Sequence, residues 1–321
     1  MQPLRIALAQ LAPRLGELEA NLVRHRETIA AARSAGAALV VFPELGLTGY
    51  LVQDLAAEVA MRRDDPRLLG LAADAADLSA VVSFVEESDD HRLYVAVALL
   101  EGGAVRHVHR KLFLPTYGLF DERRFFAAGD AVRAVQSRLG VALGLSICED
   151  FWHVAIPNLL ALDGAQILIN VSSSPGRDLA ATNEVGLGTA TSWRGIMRTY
   201  AQLTTSFVVF CNRVGVDESI TFWGGSEVIA PSGRPIFSAP LWDEGLFTVD
   251  VDLADIRRER IALPVLRDER PELVVRELDR IVAERAGLAP DGAADEAPVA
   301  PVAPVEMTTP RPRPAAAMPR R

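Results

Sequence analysis

The N-terminal stretch LRIALAQ alternates, with Leu4, Ile6 and Leu8 on one face and Arg5 and Ala7 on the other, which predicts a strand over 4–10. Behind it Leu15, Leu18, Leu22 and Ile29 recur at helical spacing and predict an amphipathic helix. An uninterrupted apolar run predicts a buried strand over 39–42, and the stretch 67–86 reads as a helix. Two runs at 93–100 and 104–108, parted by Glu101-Gly102-Gly103, predict a hairpin. Further strands are expected over 140–147, 166–171, 207–212, 226–230 and 246–251. Among them runs a helix whose Trp193, Ile196, Met197, Tyr200 and Leu203 stand three or four apart. Pro271 opens a last helix carrying Leu278, Ile281 and Val282. No long-period repeat argues for a solenoid. Strands alternating with helices predict one α/β domain over 1–285, and the hairpin makes its sheets mixed.

Beyond that point the pattern stops. Residues 286–321 hold ten Ala and eight Pro among 36 positions, too little apolar side chain to offset ordering entropy, so a disordered tail is expected. The rest is rich enough for a large core: of 321 residues, 50% are hydrophobic and 23% charged. A net charge of −9 argues against nucleic acid or an anionic membrane as partner. Two cysteines, Cys148 and Cys211, cannot build a disulfide framework and suggest a reducing compartment. No apolar run approaches the roughly 18 residues of a membrane span, and the N-terminus lacks the layout of a signal peptide. A soluble, cytoplasmic protein is the expectation.

One count changes the picture. Of 33 basic residues only Lys111 is a lysine. A GC-rich genome accounts for the arginine excess, and chance accounts for one survivor. A site needing a compact ammonium on a flexible stem accounts for it as well, since guanidinium is planar, bulkier and holds its proton.

Three segments run from an apolar strand straight into a polar residue and a turn: VVFPELGLTGY with Glu44, HRKLFLPTYGLFDERRFF with Lys111, and LGLSICEDFW with Cys148. Strand ends are where open α/β sheets assemble sites. Taken singly, each has a plainer reading. Glu44 suits a helix-start carboxylate, and Cys148 suits a small buried hydrophobe. A cysteine at a strand-to-helix turn also meets the positive end of the helix, which lowers a thiol pKa. Cys211, inside FVVFCN, fits the buried role better. The five histidines, at 25, 91, 107, 109 and 153, supply no metal-binding spacing, and His107 and His109 are expected at a pocket wall or in solvent. No GxSxG elbow or Walker loop is present, and WGGSE at 223–227 reads as a tight turn. Neither metal nor cofactor is expected.

Glutamate, lysine and cysteine in these three motifs resemble the nitrilase, or carbon–nitrogen hydrolase, superfamily. FPELGLTGY, HRKLFLPTYGLFDERRFF and CEDFW are most similar to the glutamine-hydrolysing domain of glutamine-dependent NAD synthetases, and NVSSSP, CNRVG and LPVLRDERPE point the same way. The sole lysine coincides with the family's catalytic lysine. The resemblance implies a four-layer α-β-β-α sandwich, homo-oligomers built by pairing such sandwiches, and Glu44, Lys111 and Cys148 as catalytic residues. It implies a supporting second glutamate at Glu122, and a substrate pocket lined by Tyr117, Phe120, Glu149, Ser174 and Arg177. Two departures stand out. The SGGxDS loop of an ATP-binding synthetase domain is absent, and segment 176–193, near the expected pocket, is longer than its counterpart. The activity expected first is hydrolysis of a small linear amide to acid and ammonia through a cysteine thioester. The alternatives are a glutaminase subunit feeding ammonia to a separate synthetase, a nitrile hydrolase, and a non-catalytic scaffold using the Pro-rich tail.

Overall fold

Both faces of the first strand, β1 (Leu4–Gln10), are buried, but in different cores: Ile6 and Leu8 enter one, Ala7 and Ala9 the other. That division runs through the whole fold. In a computed structural model the chain is described over residues 3–176, 187–218 and 220–287. β1 pairs in parallel with β2 (Leu39–Val41), and β2 with β3 (Ser79–Glu87). Antiparallel strands flank this centre: β4 (Leu93–Glu101) and β5 (Ala104–Arg110) beyond β3, and β14 (Gly245–Val251) beyond β1. The second sheet repeats the plan. Parallel β7 (Ala142–Ile147), β8 (Ile167–Ser172) and β9 (Phe207–Asn212) lie between antiparallel β6 (Ala134–Gln136) on one side and β12 (Glu227–Ile229) and β13 (Pro235–Ser238) on the other. A separate hairpin joins β10 (Val214–Asp217) to β11 (Ile220–Trp223).

The sheets face each other through Leu39, Val41, Val81 and Val97 of the first and Leu143, Leu145, Ile147 and Val171 of the second. Each such side chain, fully buried, contributes about 1.5–3 kcal/mol. On its outer face the first sheet is covered by α1 (Leu18–Ser34) and α3 (Pro66–Asp74), which present Leu18, Leu22, Ile29, Leu68 and Leu71 to Val40, Val82 and Ala98. α4 (Ala155–Leu162) and α5 (Gly188–Thr204) cover the second with Leu160, Trp193 and Met197. The result is the expected α-β-β-α order. Short α2 (Ala56–Val59) follows the β2 loop, and α6 (Ala254–Ala262) and α7 (Val265–Asp268) follow β14. The chain divides after Glu269 into two compact units. In the second, α8 (Pro271–Arg285) starts at the expected Pro271 and carries ion pairs from Arg280 to Glu277 and Glu284. The Ala/Pro-rich segment from 288 onward lies outside the described residues.

The stretch 67–86 corrects the sequence reading. Helix α3 ends at Asp74, and Ser79–Glu87 is strand β3. Because β3 is buried from Ser79 to Glu86, both its faces are apolar and no alternation marks it. The Ala-rich approach from Leu71 to Ala76 carries helix propensity into it. Leu15, expected on the first helical stripe, precedes α1. Strands β6, β10, β11 and β13 were not legible, being three or four residues long and of mixed polarity.

Candidate active site

The parallel centres of the two sheets point their carboxyl ends to one side of the seam, and there the polar residues gather. Glu44 follows β2 by three residues, Lys111 follows β5 at once, Cys148 follows β7 at once, and Ser173 and Ser174 follow β8. Lys111 Nζ donates to Glu44 Oε1 and to Glu122 Oε1, both at 2.7 Å. Glu44 and Lys111 are wholly buried. Glu44 is held from the opposite sheet, where the Ser173 N–H donates to Glu44 Oε2 at 2.7 Å and the Ser173 hydroxyl to the Glu44 carbonyl at 2.9 Å. On Glu122, Oε1 also accepts the Tyr50 hydroxyl at 2.5 Å, while buried Oε2 has no partner.

Cys148 begins a short 3-10 turn, Cys148–Trp152, and takes φ +41°, a left-handed conformation that costs a β-carbon residue energy. Burial and the Glu44 carboxylate push its thiol well above the usual cysteine range, against the pull of Lys111. The direction is opposite to the helix-end lowering expected from the sequence: the turn is short, and burial, Glu44, Glu122 and Glu149 all disfavour a thiolate. For Lys111, burial opposes the charge, but Glu122 and Glu44 outweigh it and hold the ammonium well above its ordinary pKa. Burial raises Glu122 to about 7, with Lys111 opposing and Glu44 adding to the rise.

Cys148 opens onto a cavity of about 290 Å³. Four of the five expected pocket residues line it, namely Tyr117, Phe120, Glu149 and Ser174; Arg177 lies outside the described residues. The Tyr117 hydroxyl donates to the Glu149 carboxylate at 2.9 Å. Ser174 Oγ accepts the indole N–H of Trp193 at 2.9 Å and of Trp223 at 3.2 Å. Trp223 reaches it from the WGGSE turn, where Gly225 has φ +61° and a β-carbon would meet the Trp223 ring at 2.3 Å. From segment 176–193, Gly188, Thr189, Ser192 and Trp193 border the cavity, while 177–186 lie outside the described residues.

Several contributors were not singled out from the sequence: Tyr50, Asp150, Trp152, Ser173, Trp193 and Trp223. Tyr50 and Asp150 stand inside the quoted motifs FPELGLTGY and CEDFW, so position near a strand end was the available signal. His109 corrects its expectation, for it faces neither cavity nor solvent and bonds the Asp150 carboxylate at 2.9 Å in a fully buried pair. Cys211 is buried, its thiol pushed up by burial and directed at the Val41 carbonyl. Among the described residues no cluster of His, Cys, Asp or Glu is placed to hold a metal ion, and no helix is long and apolar enough to cross a membrane.

Comparison with known proteins agrees with this arrangement. The family model for carbon-nitrogen hydrolase matches residues 5–260. Over 273 residues the chain is 34% identical to the glutamine-dependent NAD(+) synthetase of Thermotoga maritima, covering 82% of this chain and 45% of that protein. The chain thus spans about half the length of the curated relatives it matches. The solved glutamine-dependent NAD+ synthetase of Acinetobacter baumannii superposes with a TM-score of 0.70 at 27% identity, over 79% of this chain and 47% of that one. A mutant amidase from Nesterenkonia sp. AN1 gives 0.70 at 25% identity over 86% and 97%, and carries the acetamide moiety of fluoroacetamide added covalently at its active-site cysteine. With the family model matched from β1 to α6 and one fold shared with both kinds of relative, the chain belongs to the carbon–nitrogen hydrolase family.

Proposed function

We propose that the protein hydrolyses a small amide to a carboxylic acid and ammonia, with Cys148 as nucleophile, Glu44 as general base and acid, and Lys111 as electrostatic stabiliser. The observation that carries this reading is the buried Glu44–Lys111–Glu122 cluster whose charges act on a thiol that opens to the cavity. A neutral thiol beside a fixed carboxylate suits attack coupled to proton loss. Glu44 takes the thiol proton as Sγ bonds the amide carbon. The negative charge developing on the substrate oxygen is met by Lys111 and the Glu149 backbone N–H, an effect typically worth about 3–4 kcal/mol per donor. Glu44 then delivers the proton to the departing nitrogen, the C–N bond breaks, and ammonia leaves a thioester on Cys148. Water, deprotonated by Glu44, attacks the thioester, the C–S bond breaks, and the thiol recovers its proton. Glu122 holds the lysine in place.

The cavity walls narrow the substrate. The Ser174 oxygen already accepts two indole N–H groups, so its own proton suits an acceptor atom of the ligand. Glu149, acceptor only, suits a donor. A linear amide with an oxygen acceptor and an amino group at its far end meets both. The covalent adduct in the Nesterenkonia amidase supports a cysteine nucleophile. The test is ammonia release by wild type and Cys148→Ala from glutamine, asparagine, short aliphatic amides, ω-amides of keto acids and N-carbamoyl compounds, with intact-mass detection of a trapped acyl group. Release that depends on Cys148 is expected; equal release by both proteins would sink the assignment.

A second reading rests on the relatives. The chain matches the part of glutamine-dependent NAD synthetases that makes up about half of them, which supports a glutaminase supplying ammonia to a separate ATP-dependent synthetase. Activity on glutamine that rises when such a synthetase is added would favour it.

A further inference from the structure

Lys111 and Cys148 stand on different sheets: Lys111 follows β5 of the first and Cys148 follows β7 of the second. Among the described residues no ladder of backbone hydrogen bonds runs between those sheets, so pairing register does not set the distance from ammonium to thiol. Apolar packing alone lets two faces slide. Glu44 reaches across to Ser173 after β8, and a second carboxylate crosses at the lysine and cysteine segments themselves. Asp150, wholly buried, accepts four N–H groups. Oδ1 takes those of Leu112 at 2.9 Å and Phe113 at 3.1 Å; Oδ2 takes that of Ile147 at 3.0 Å and His109 Nε2 at 2.9 Å. Both oxygens already accept backbone N–H groups, and the tautomer of His109 with its proton on Nε2 adds a fourth donor.

The sequence positions of these donors matter most. His109 and Leu112 bracket Lys111, while Ile147 and Asp150 itself bracket Cys148. Three bonds, from His109, Leu112 and Phe113, therefore join the segment that presents the lysine to the one that presents the cysteine, and the fourth, from Ile147, closes the turn that keeps Cys148 at φ +41°. A stack of Phe113 on His153 at 3.4 Å lies alongside, but ring faces slide where N–H bonds do not.

We propose that Asp150, held by His109, is a positioning residue that sets the separation of Lys111 and Cys148 across the two sheets. Neither side chain lines the cavity. Their effect passes through the two backbone segments and falls on turnover rather than on substrate affinity. The proposal rests on the roles given above to Lys111 and Cys148.

The test uses the full chain, comparing kcat and KM on the fastest amide of the panel, and melting temperature, for wild type, Asp150→Asn, His109→Gln and His109→Leu. Asparagine at 150 turns an N–H against one of the four donors. A displacement of about 1 Å costs about 100-fold in kcat, and KM is expected to stay within about threefold. Glutamine at 109 carries its amide nitrogen near the place of imidazole Nε2 and retains most of kcat; leucine, with no donor, loses it. Wild-type kcat in Asp150→Asn would overturn the proposal. So would equal losses in the two His109 variants that follow their melting temperatures. If wild type is inert on every amide, the catalytic reading has failed by itself, and crystal structures of wild type and Asp150→Asn decide the tie. Segments 109–113 and 147–150 displaced relative to each other support it, and unmoved segments overturn it.

Discussion

Lys111 has three N–H bonds to give, and two go to Glu44 and Glu122 at 2.7 Å. In the proposed mechanism the third goes to the substrate oxygen. Arginine keeps the charge but is longer and planar, and no exposed surface exists at this position to absorb the excess. Lys111→Arg is therefore expected to lose at least about 100-fold in kcat, the size of a lost oxyanion donor. A normal circular dichroism spectrum would assign the loss to the site; near-normal turnover would remove Lys111 from the mechanism. His25 illustrates a different use of burial. Its Nδ1–H donates to the Asn21 carbonyl at 2.8 Å, its ring stacks on Phe42 at 4.1 Å, and its Nε2 has no partner. Burial lowers its pKa to about 4, so the folded protein binds fewer protons here than the unfolded chain. The stability it contributes is present above the ordinary histidine value of 6.5 and is lost as pH falls through about 4, a span worth about 3 kcal/mol. Thermal melts across that window should flatten in His25→Gln; an unchanged slope would place the acid sensitivity elsewhere.

Elements carry the site only because their ends are fixed, and Gly129 shows how tightly. Its N–H donates to the Lys111 carbonyl at 2.8 Å, and a β-carbon there would lie 2.4 Å from the Arg110 carbonyl oxygen. The obstacle is backbone, so the end of β5 must move rather than a side chain. Gly129→Ala is expected to lower melting temperature and kcat together by displacing Lys111, and wild-type kinetics would show that β5 tolerates the shift. This fixity at strand ends also explains what could be read beforehand. Glu44, Lys111 and Cys148 each follow a hydrophobic run and break it, a local signal that survives in a single sequence. β3 gives no such signal, because burial on both faces erases its alternation. Asp150, Tyr50 and Trp193 act through partners 19 to 72 positions away, as in the Tyr50–Glu122 and Trp193–Ser174 bonds, and no short window along the chain contains both ends. The α-β-β-α order came from resemblance, since alternation of strands and helices predicts an α/β class without saying how two sheets stack.

At the scale of the molecule, the seam between the sheets is both core and scaffold. Among the described residues two cores exist, one holding the sheets together and one under α1 and α3; only the first lies between the sheets and includes β7, which ends in Cys148, while β5, which ends in Lys111, lays Val105 and Val108 against the second. This separates stability from activity in a way that can be measured. Leu145 lies on β7 three residues before Cys148, in the core between the sheets; Leu71 lies on α3 in the outer core. Both are almost fully buried, so truncation to alanine at either site removes the same three carbons and costs about 2–5 kcal/mol through lost transfer energy and a residual cavity. Interiors relax toward such cavities only partly, and the relaxation is local. Around Leu145 the parts free to relax are the facing strands of the two sheets, whose separation determines how Glu44, Lys111 and Cys148 meet. Around Leu71 they are a helix and the outer face of the first sheet. Leu145→Ala is expected to lower kcat on the best amide by about tenfold or more at a temperature where the variant is fully folded, since small displacements of reacting groups are amplified in the rate. Leu71→Ala, with a similar fall in melting temperature, should keep its kcat. Equal kcat losses in the two would mean that the site follows global stability, and the seam would hold no special control over the chemistry.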